Sequence, residues 1–277
     1  MMSKSIRANK IIWATLNGIV LFIALFLLLV PIYYMISSSF KTQRQMMDFK
    51  QFIKFTPTLN NYKKLFEQYD IIKPLSVSII VTVMATGLAC LFGIPAAYAI
   101  SRHKMHKLSA IILSVRIVPA VTFLIPWYII LSKMHLVGTM TALIAANLLV
   151  SLPLIIWIVV PYFGSIAKEL EEAAFIDGCS EAGSLIRIMI PLSSPGIITA
   201  TILSFIKVWN NYMFAFVLGG TKSRTLPVML KVFIGYAGID YACLVTAATI
   251  VALPVVVLSI FMNKYVVTGL TAGAVKA

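Results

Sequence analysis

Residues 161–195 read PYFGSIAKELEEAAFIDGCSEAGSLIRIMIPLSSP and hold five of the nine acidic residues of this 277-residue chain. A helix through Ile166, Leu170, Ala173 and Ala174 sets an apolar stripe against Lys168, Glu169, Glu171 and Glu172, which predicts an amphipathic helix. Gly178 stands where that helix should stop, because glycine takes positive φ cheaply and leaves backbone uncovered for close approach. Ser180 can cap a second short helix from Ser184 to Ile190, which Pro191 and Pro195 end. Helix, bare turn and helix form a shape that docks into a partner's cleft; a plain solvated connector is the alternative.

On both sides the chain turns apolar. It is 60% hydrophobic and 12% charged, with mean hydropathy +0.97, whereas a soluble domain carries about 25% charged residues. That composition excludes a soluble enzyme as the default. Charge is absent from 11–40, 74–101, 134–167 and 241–263; 108–132 is interrupted only by Arg116, and 188–221 only by Lys207. About 20 apolar residues cross a bilayer as a helix, so the runs predict an all-α integral membrane protein with six spans near 11–36, 75–100, 109–131, 140–160, 195–218 and 241–263. The first span follows Lys4, Arg7 and Lys10, as a signal peptide would. Its apolar run is too long and no small-residue cleavage site follows, so it should remain as a spanning helix.

An even number of spans puts both termini on one side with the loops 101–108 and 161–194. Lys and Arg total 10 on that side and 11 on the other, so the bare count does not orient the chain. Density favours cytoplasmic termini, since Arg102, Lys104 and Lys107 crowd one short loop while seven cations spread over 37–74. The net charge of +14 is therefore loop charge and does not indicate nucleic acid. Within 37–74, Pro57-Thr58-Leu59-Asn60-Asn61-Tyr62 predicts a short surface helix capped by Asn60 or Asn61.

Chemistry-bearing patterns are sparse. Cys90, Cys179 and Cys243 have no framework or metal spacing. Gly219-Gly220-Thr221-Lys222-Ser223 lacks the spacing of a phosphate loop. His103, His106 and His135 fall in loops on opposite sides and make no metal site. Two ionisable residues lie inside spans, where a charge near the bilayer centre costs about 2.5–3.5 kcal/mol on insertion scales. Lys207, with Trp209, Asn210, Asn211 and Tyr212, supplies donors, acceptors and an aromatic face, the mix that a sugar pathway uses. The structural alternative is that Lys207 snorkels or pairs with another subunit while the asparagines hold helices together. Arg116, followed by Pro119 and Pro126, marks a kinked third span; it is either a candidate pathway residue or a structural or gating one.

Glu172-Ala173-Ala174, Asp177-Gly178, Ile190-Pro191 and Pro195 resemble the EAA loop of permease subunits from binding-protein-dependent ABC importers. The resemblance runs almost the full length and is to the carbohydrate-uptake branch, on the side of the maltose permease's G-type subunit. PTLNNY at 57–62, FIKVWNNYMFAF at 205–216, TLPV at 225–228 and YVVTGLTAGAVKA at 265–277 carry it further. It implies one permease domain over 1–277, with an extracytoplasmic segment 37–74, a cytoplasmic coupling loop 161–194 and a cytoplasmic tail 264–277. Glu172, Ala173, Ala174, Asp177, Gly178 and Pro191 would couple to a separate ATPase, and Gly269, Leu270, Gly273 and Lys276 of the tail would touch it. The chain ends in Ala277 where the family usually has glycine.

The same resemblance implies a bacterial inner-membrane location, an F-type permease as heterodimer partner, two cytoplasmic ATPase subunits and an extracytoplasmic sugar-binding protein. This chain would bind no cofactor and have no catalytic residues; ATP and Mg would sit on the partner ATPase. A secondary transporter or channel for small polar solutes is the competing class. It would need an intramembrane carboxylate or ion site, and all nine acidic residues lie outside the six spans.

Overall fold

The computed structural model describes the backbone of residues 2–235 and 238–274 and the side chains of 13–262 except 106, 236 and 237. Its helices are α1 Met2–Ser39, α2 Gln43–Met47, α3 Asn60–Glu67, α4 Ile72–Arg102, α5 His106–Ile117, α6 Leu124–Lys133 and α7 Met140–Ser165. They continue as α8 Lys168–Ile176, α9 Glu181–Ser184, α10 Ile190–Leu192, α11 Ser194–Trp209, α12 Tyr212–Leu218, α13 Leu226–Met229 and α14 Tyr241–Ala274. One antiparallel pair, β1 Ile234–Gly235 with β2 Gly238–Ile239, interrupts them.

Among the described residues, four helices are long and apolar enough to cross a membrane: Trp13–Ser39, Ile72–Arg102, Met140–Ser165 and Tyr241–Met262. Two bent pairs bring the number to as many as six if each is one span: Lys107–Ile117 with Ala120–Lys133 at 92°, and Glu181–Leu192 with Ser194–Trp209 at 81°. The first bend lies where Pro119 removes a backbone donor and pushes Val118 to extended geometry (ψ 126°). The expected fifth span 195–218 is not one helix. It breaks at Asn210, because the Asn211 side chain accepts the Phe214 N–H at 3.1 Å and so starts α12 afresh.

The chain divides into two compact units, residues 1–69 with 232–250 and residues 70–231 with 251–277. In the first unit, Thr42 and Gln45 form a reciprocal capping box at α2. Neither Asn60 nor Asn61 caps α3, contrary to the sequence expectation; the N-cap position is Leu59 and has no side-chain bond. Asn61 is instead buried, and its amide donates to the Ser39 carbonyl at 3.0 Å and the Lys41 carbonyl at 2.8 Å. It thereby satisfies acceptors at and just beyond the end of α1 that have no intrahelical donor. Lys41 is also buried: its ammonium donates to the Phe52 carbonyl at 3.0 Å and lies 4.5 Å from the Phe55 ring centroid.

The second unit is organised around α4, α7 and α11. The buried face of α4 repeats small residues at helical spacing, Ser78, Thr82, Ala85, Ala89, Gly93 and Ala97. Without a hydrophobic force between helices in lipid, such small faces associate by close van der Waals approach. At Gly93 a Cβ would lie 3.0 Å from the Ile155 side chain of α7, which packs into the space the glycine leaves. A second close crossing joins α7 to α11 at Gly196, where a Cβ would overlap the Tyr162 ring.

Candidate functional site

Two places in the second unit bring chemistry-bearing side chains together: the loop between α7 and α11, and a cavity among α5, α7 and α11.

In the loop, α8 is built from strong helix formers, with Glu169 and Glu171 in the first turn where the dipole favours negative charge. It ends in a Schellman motif. Gly178 takes φ +83°, the Cys179 N–H bonds the Ala174 carbonyl at 2.9 Å, and the Gly178 N–H bonds the Phe175 carbonyl at 3.0 Å. A Cβ at Gly178 would meet nothing within 4 Å, so the turn stands open. Ser180 then caps α9, accepting the Gly183 N–H at 3.2 Å. The chain runs on through a π-helical segment, Leu185–Met189, into α10.

The faces of α8 differ from the sequence expectation. Glu171, expected on the polar outer face, is buried, whereas Leu170 and Ile176 are turned outward, Ile176 being 86% exposed. The cause is Arg102 at the end of α4. Its Nε lies 2.6 Å from Glu171 Oε2, and the Tyr98 hydroxyl donates to Glu171 Oε1. Arg102 further donates to the Ile166 carbonyl at 3.3 Å and contacts the Met189 sulfur at 3.3 Å. One guanidinium thus fastens the end of α7, the helix α8 and the π-helical segment to α4. Neither Tyr98 nor Arg102 was among the predicted site residues, although they stand four apart at the end of α4, where the charge-free run 74–101 stops, and so share its face.

Around this anchor, Glu172, Ala173, Asp177, Gly178 and Pro191 are exposed and Ala174 is buried. With Leu170, Phe175, Ile176, Ile186 and Leu192 also exposed, the loop presents an apolar surface edged by carboxylates. The tail residues Gly269, Leu270 and Gly273 have side chains outside the described residues, and Lys276 lies outside them altogether.

The second place is a cavity of about 160 Å³ whose charged lining residues, among the described residues, are Arg116 and Lys207. Val118, Pro119 and Phe123 at the α5–α6 break and Val150 and Pro153 of α7 supply its apolar wall. The Arg116 guanidinium stacks on Trp157 at 4.1 Å from the ring centroid. The residues expected beside Lys207 separate. Trp209 is buried and its indole N–H donates to the Val251 carbonyl at 2.9 Å. Asn211 donates to Asn147 Oδ1 at 2.7 Å while capping α12. Asn210 is exposed, and Tyr212 stacks on Phe216. The structure therefore joins Lys207 to Arg116, 91 positions away in sequence, and leaves Trp209 and the Asn211 side chain off the cavity lining.

Comparison with known proteins places these features in context. Residues 89–271 match the model of the family described as binding-protein-dependent transport system inner membrane component. The sulfoquinovosyl glycerol transport system permease protein SmoH of Agrobacterium fabrum is 35% identical over 92% of this chain and 93% of its own length. The trehalose/maltose transport system permease protein MalG of Thermococcus litoralis is 32% identical over 81% of this chain and 83% of its own. Among solved structures, a bacterial ABC transporter involved in the import of the acidic polysaccharide alginate superposes with a TM-score of 0.78 at 21% identity, covering 92% of this chain and 96% of the other.

Proposed function

Since this chain belongs to the binding-protein-dependent transport system inner membrane components, we propose that it is the permease subunit of an ATP-driven sugar importer. The observation that carries the mechanism is the anchored loop: a helix with exposed Leu170, Phe175 and Ile176, an open glycine turn, and a buried Arg102–Glu171 pair tying it to α4. Such a surface receives a push from another chain and passes it to a membrane helix. Six spans are counted in this reading, the bent pair 107–133 as the third and α11 with α12 as the fifth, with both termini and the 161–194 loop cytoplasmic and 37–74 outside.

The chain forms half of the translocation pathway, and a second, F-type permease forms the other half. Two cytoplasmic ATPase subunits hold ATP and Mg, and one docks on the loop around Glu172, Ala173, Asp177 and Gly178. The tail from 264 makes a second contact with the ATPase. An extracytoplasmic binding protein delivers the sugar at a bacterial inner membrane, and this subunit has no catalytic role. A sugar as cargo is supported by the relatives, whose names specify sulfoquinovosyl glycerol and trehalose or maltose.

Gly178→Trp tests the docking. An L-residue at φ +83° costs about 1–2 kcal/mol, which is small for a membrane-embedded fold, and the open space there accepts the ring. Expected is a normal yield of the permease pair, at least a tenfold loss of co-purifying ATPase, and loss of uptake. Normal ATPase retention with normal uptake refutes the docking surface.

A further inference from the structure

We infer that the cargo of this permease carries an anionic oxygen group, a carboxylate, sulfonate or phosphate, beside its hydroxyls, and that Arg116 and Lys207 receive that group in the cavity they line. The inference rests on the pathway reading above and adds the charge of the cargo to it.

Depth is the first ground. Arg116 lies at the break in the bent pair 107–133, Lys207 lies in 194–209, and the α7 wall at Val150 and Pro153 is midway along Met140–Ser165. Read with α12 as its continuation, the 194–209 helix carries Lys207 near mid-span, as the bent pair carries Arg116 and α7 its wall, so in this reading lipid headgroups lie away from the cavity. Charge is the second ground. None of the nine acidic residues of the chain lines the cavity, and the ion pair among the described residues is Arg102–Glu171, elsewhere in the unit. Two cations sharing a cavity with apolar walls repel each other in a low dielectric, and a neutral solute would leave both uncompensated.

Geometry is the third ground. The Arg116 guanidinium carbon lies over the Trp157 ring, 4.1 Å from its centroid, and none of the guanidinium N–H groups has an acceptor among the described residues. A guanidinium without a protein acceptor keeps its planar fork of donors free, and such a fork binds a carboxylate or sulfonate through two parallel hydrogen bonds. Lys207 adds a mobile point charge with three donors. Fixed fork and mobile ammonium together suit an anion that must be gripped and then released.

The test uses the complete transporter with its binding protein. The binding protein is screened by thermal shift against pairs matched except for charge, glucose with glucuronate and galactose with galacturonate, together with a sulfonated and a phosphorylated hexose. Uptake of the ligand so found is then followed in proteoliposomes. The expected result is that an acidic sugar binds and is taken up while its neutral counterpart does neither at tenfold higher concentration. At subsaturating ligand, Arg116→Gln and Lys207→Gln each lower uptake by about tenfold or more, the size of a lost charge-assisted bond, and Lys207→Arg keeps at least half.

A neutral sugar as ligand overturns the inference and leaves sugar import standing; a carboxylate of another chain then balances the two cations. An anion that is not a sugar keeps the cation site and overturns sugar import, and a neutral or cationic non-sugar overturns both. Equal losses in Lys207→Gln and Lys207→Arg also overturn the inference. The charge of the ligand is read on the unmodified transporter, so a variant that fails to assemble does not remove the test.

Discussion

Substituting Arg102 by Met removes the cation that faces the Glu171 carboxylate and leaves that carboxylate, at 7% side-chain exposure, with the Tyr98 hydroxyl as its remaining described partner. Breaking a buried ion pair from one side costs about 3–5 kcal/mol, because the surviving charge is stranded. Lys168 and His103 line the cleft around the pair, and they and water soften the loss, so about 3 kcal/mol is the expected figure. The pair fastens α8 to α4, so the cost falls on the local closing of the loop. At 1.4 kcal/mol per decade, 3 kcal/mol makes the open form about 150-fold more populated. Hydrogen exchange of the peptide covering 168–179, followed by mass spectrometry in the purified permease, reads this population directly. Arg102→Met and Glu171→Leu should each speed exchange of the α8 amides by about two decades. The double variant, which buries no charge, should return to within about tenfold of the parent. Exchange within threefold of the parent in both single variants, or additive losses in the double, would refute the anchoring role.

Three further outcomes are expected. Gly196→Ala pushes a methyl into the Tyr162 ring at the α7–α11 crossing and should destabilise by about 1–3 kcal/mol; a lower thermal midpoint that Tyr162→Ala partly restores would show it, and an unchanged midpoint would not. Asn61→Asp keeps the shape but loses the amide donor to the Lys41 carbonyl, while the Ser39 carbonyl retains the Thr246 hydroxyl. It should cost about 1–3 kcal/mol, seen as earlier proteolysis of 37–69, with Asn61→Leu equally damaging. Burial lowers the pKa of Lys41 from 10.5, so the folded form sheds its proton before the unfolded one. Protection of residues 40–60 from proteolysis should therefore rise with pH through the window between the lowered value and 10.5; Lys41→Met should flatten that rise.

Long charge-free runs made the membrane class legible, because a helix in lipid must be apolar over a fixed length whatever its neighbours do. The loop helix, its glycine stop and its serine cap were legible for a similar reason: capping and αL geometry are decided by residues within one turn. Asn61 shows where such local reading ends. The same side chain can cap a helix or reach back to another, and only the position of α1 selects the second use. The stretch 195–218 was misread as one continuous helix because hydropathy registers no break at Asn210 and Asn211, where α11 ends and the Asn211 side chain starts a new helix.

From sequence alone came the lipid-solvated class, the loop with its turn, and two lone cations within apolar stretches. What each of those charges meets was decided by the tertiary structure. Glu171, placed on the solvent face by helical periodicity, is drawn inward by Arg102 from 69 positions earlier. Arg116 in α5 and Lys207 in α11, with five helices between them in the chain, share one cavity. Periodicity reports which side of a helix is apolar; an ionised side chain in low dielectric is governed by the nearest opposite charge, and that neighbour is set by how the helices pack.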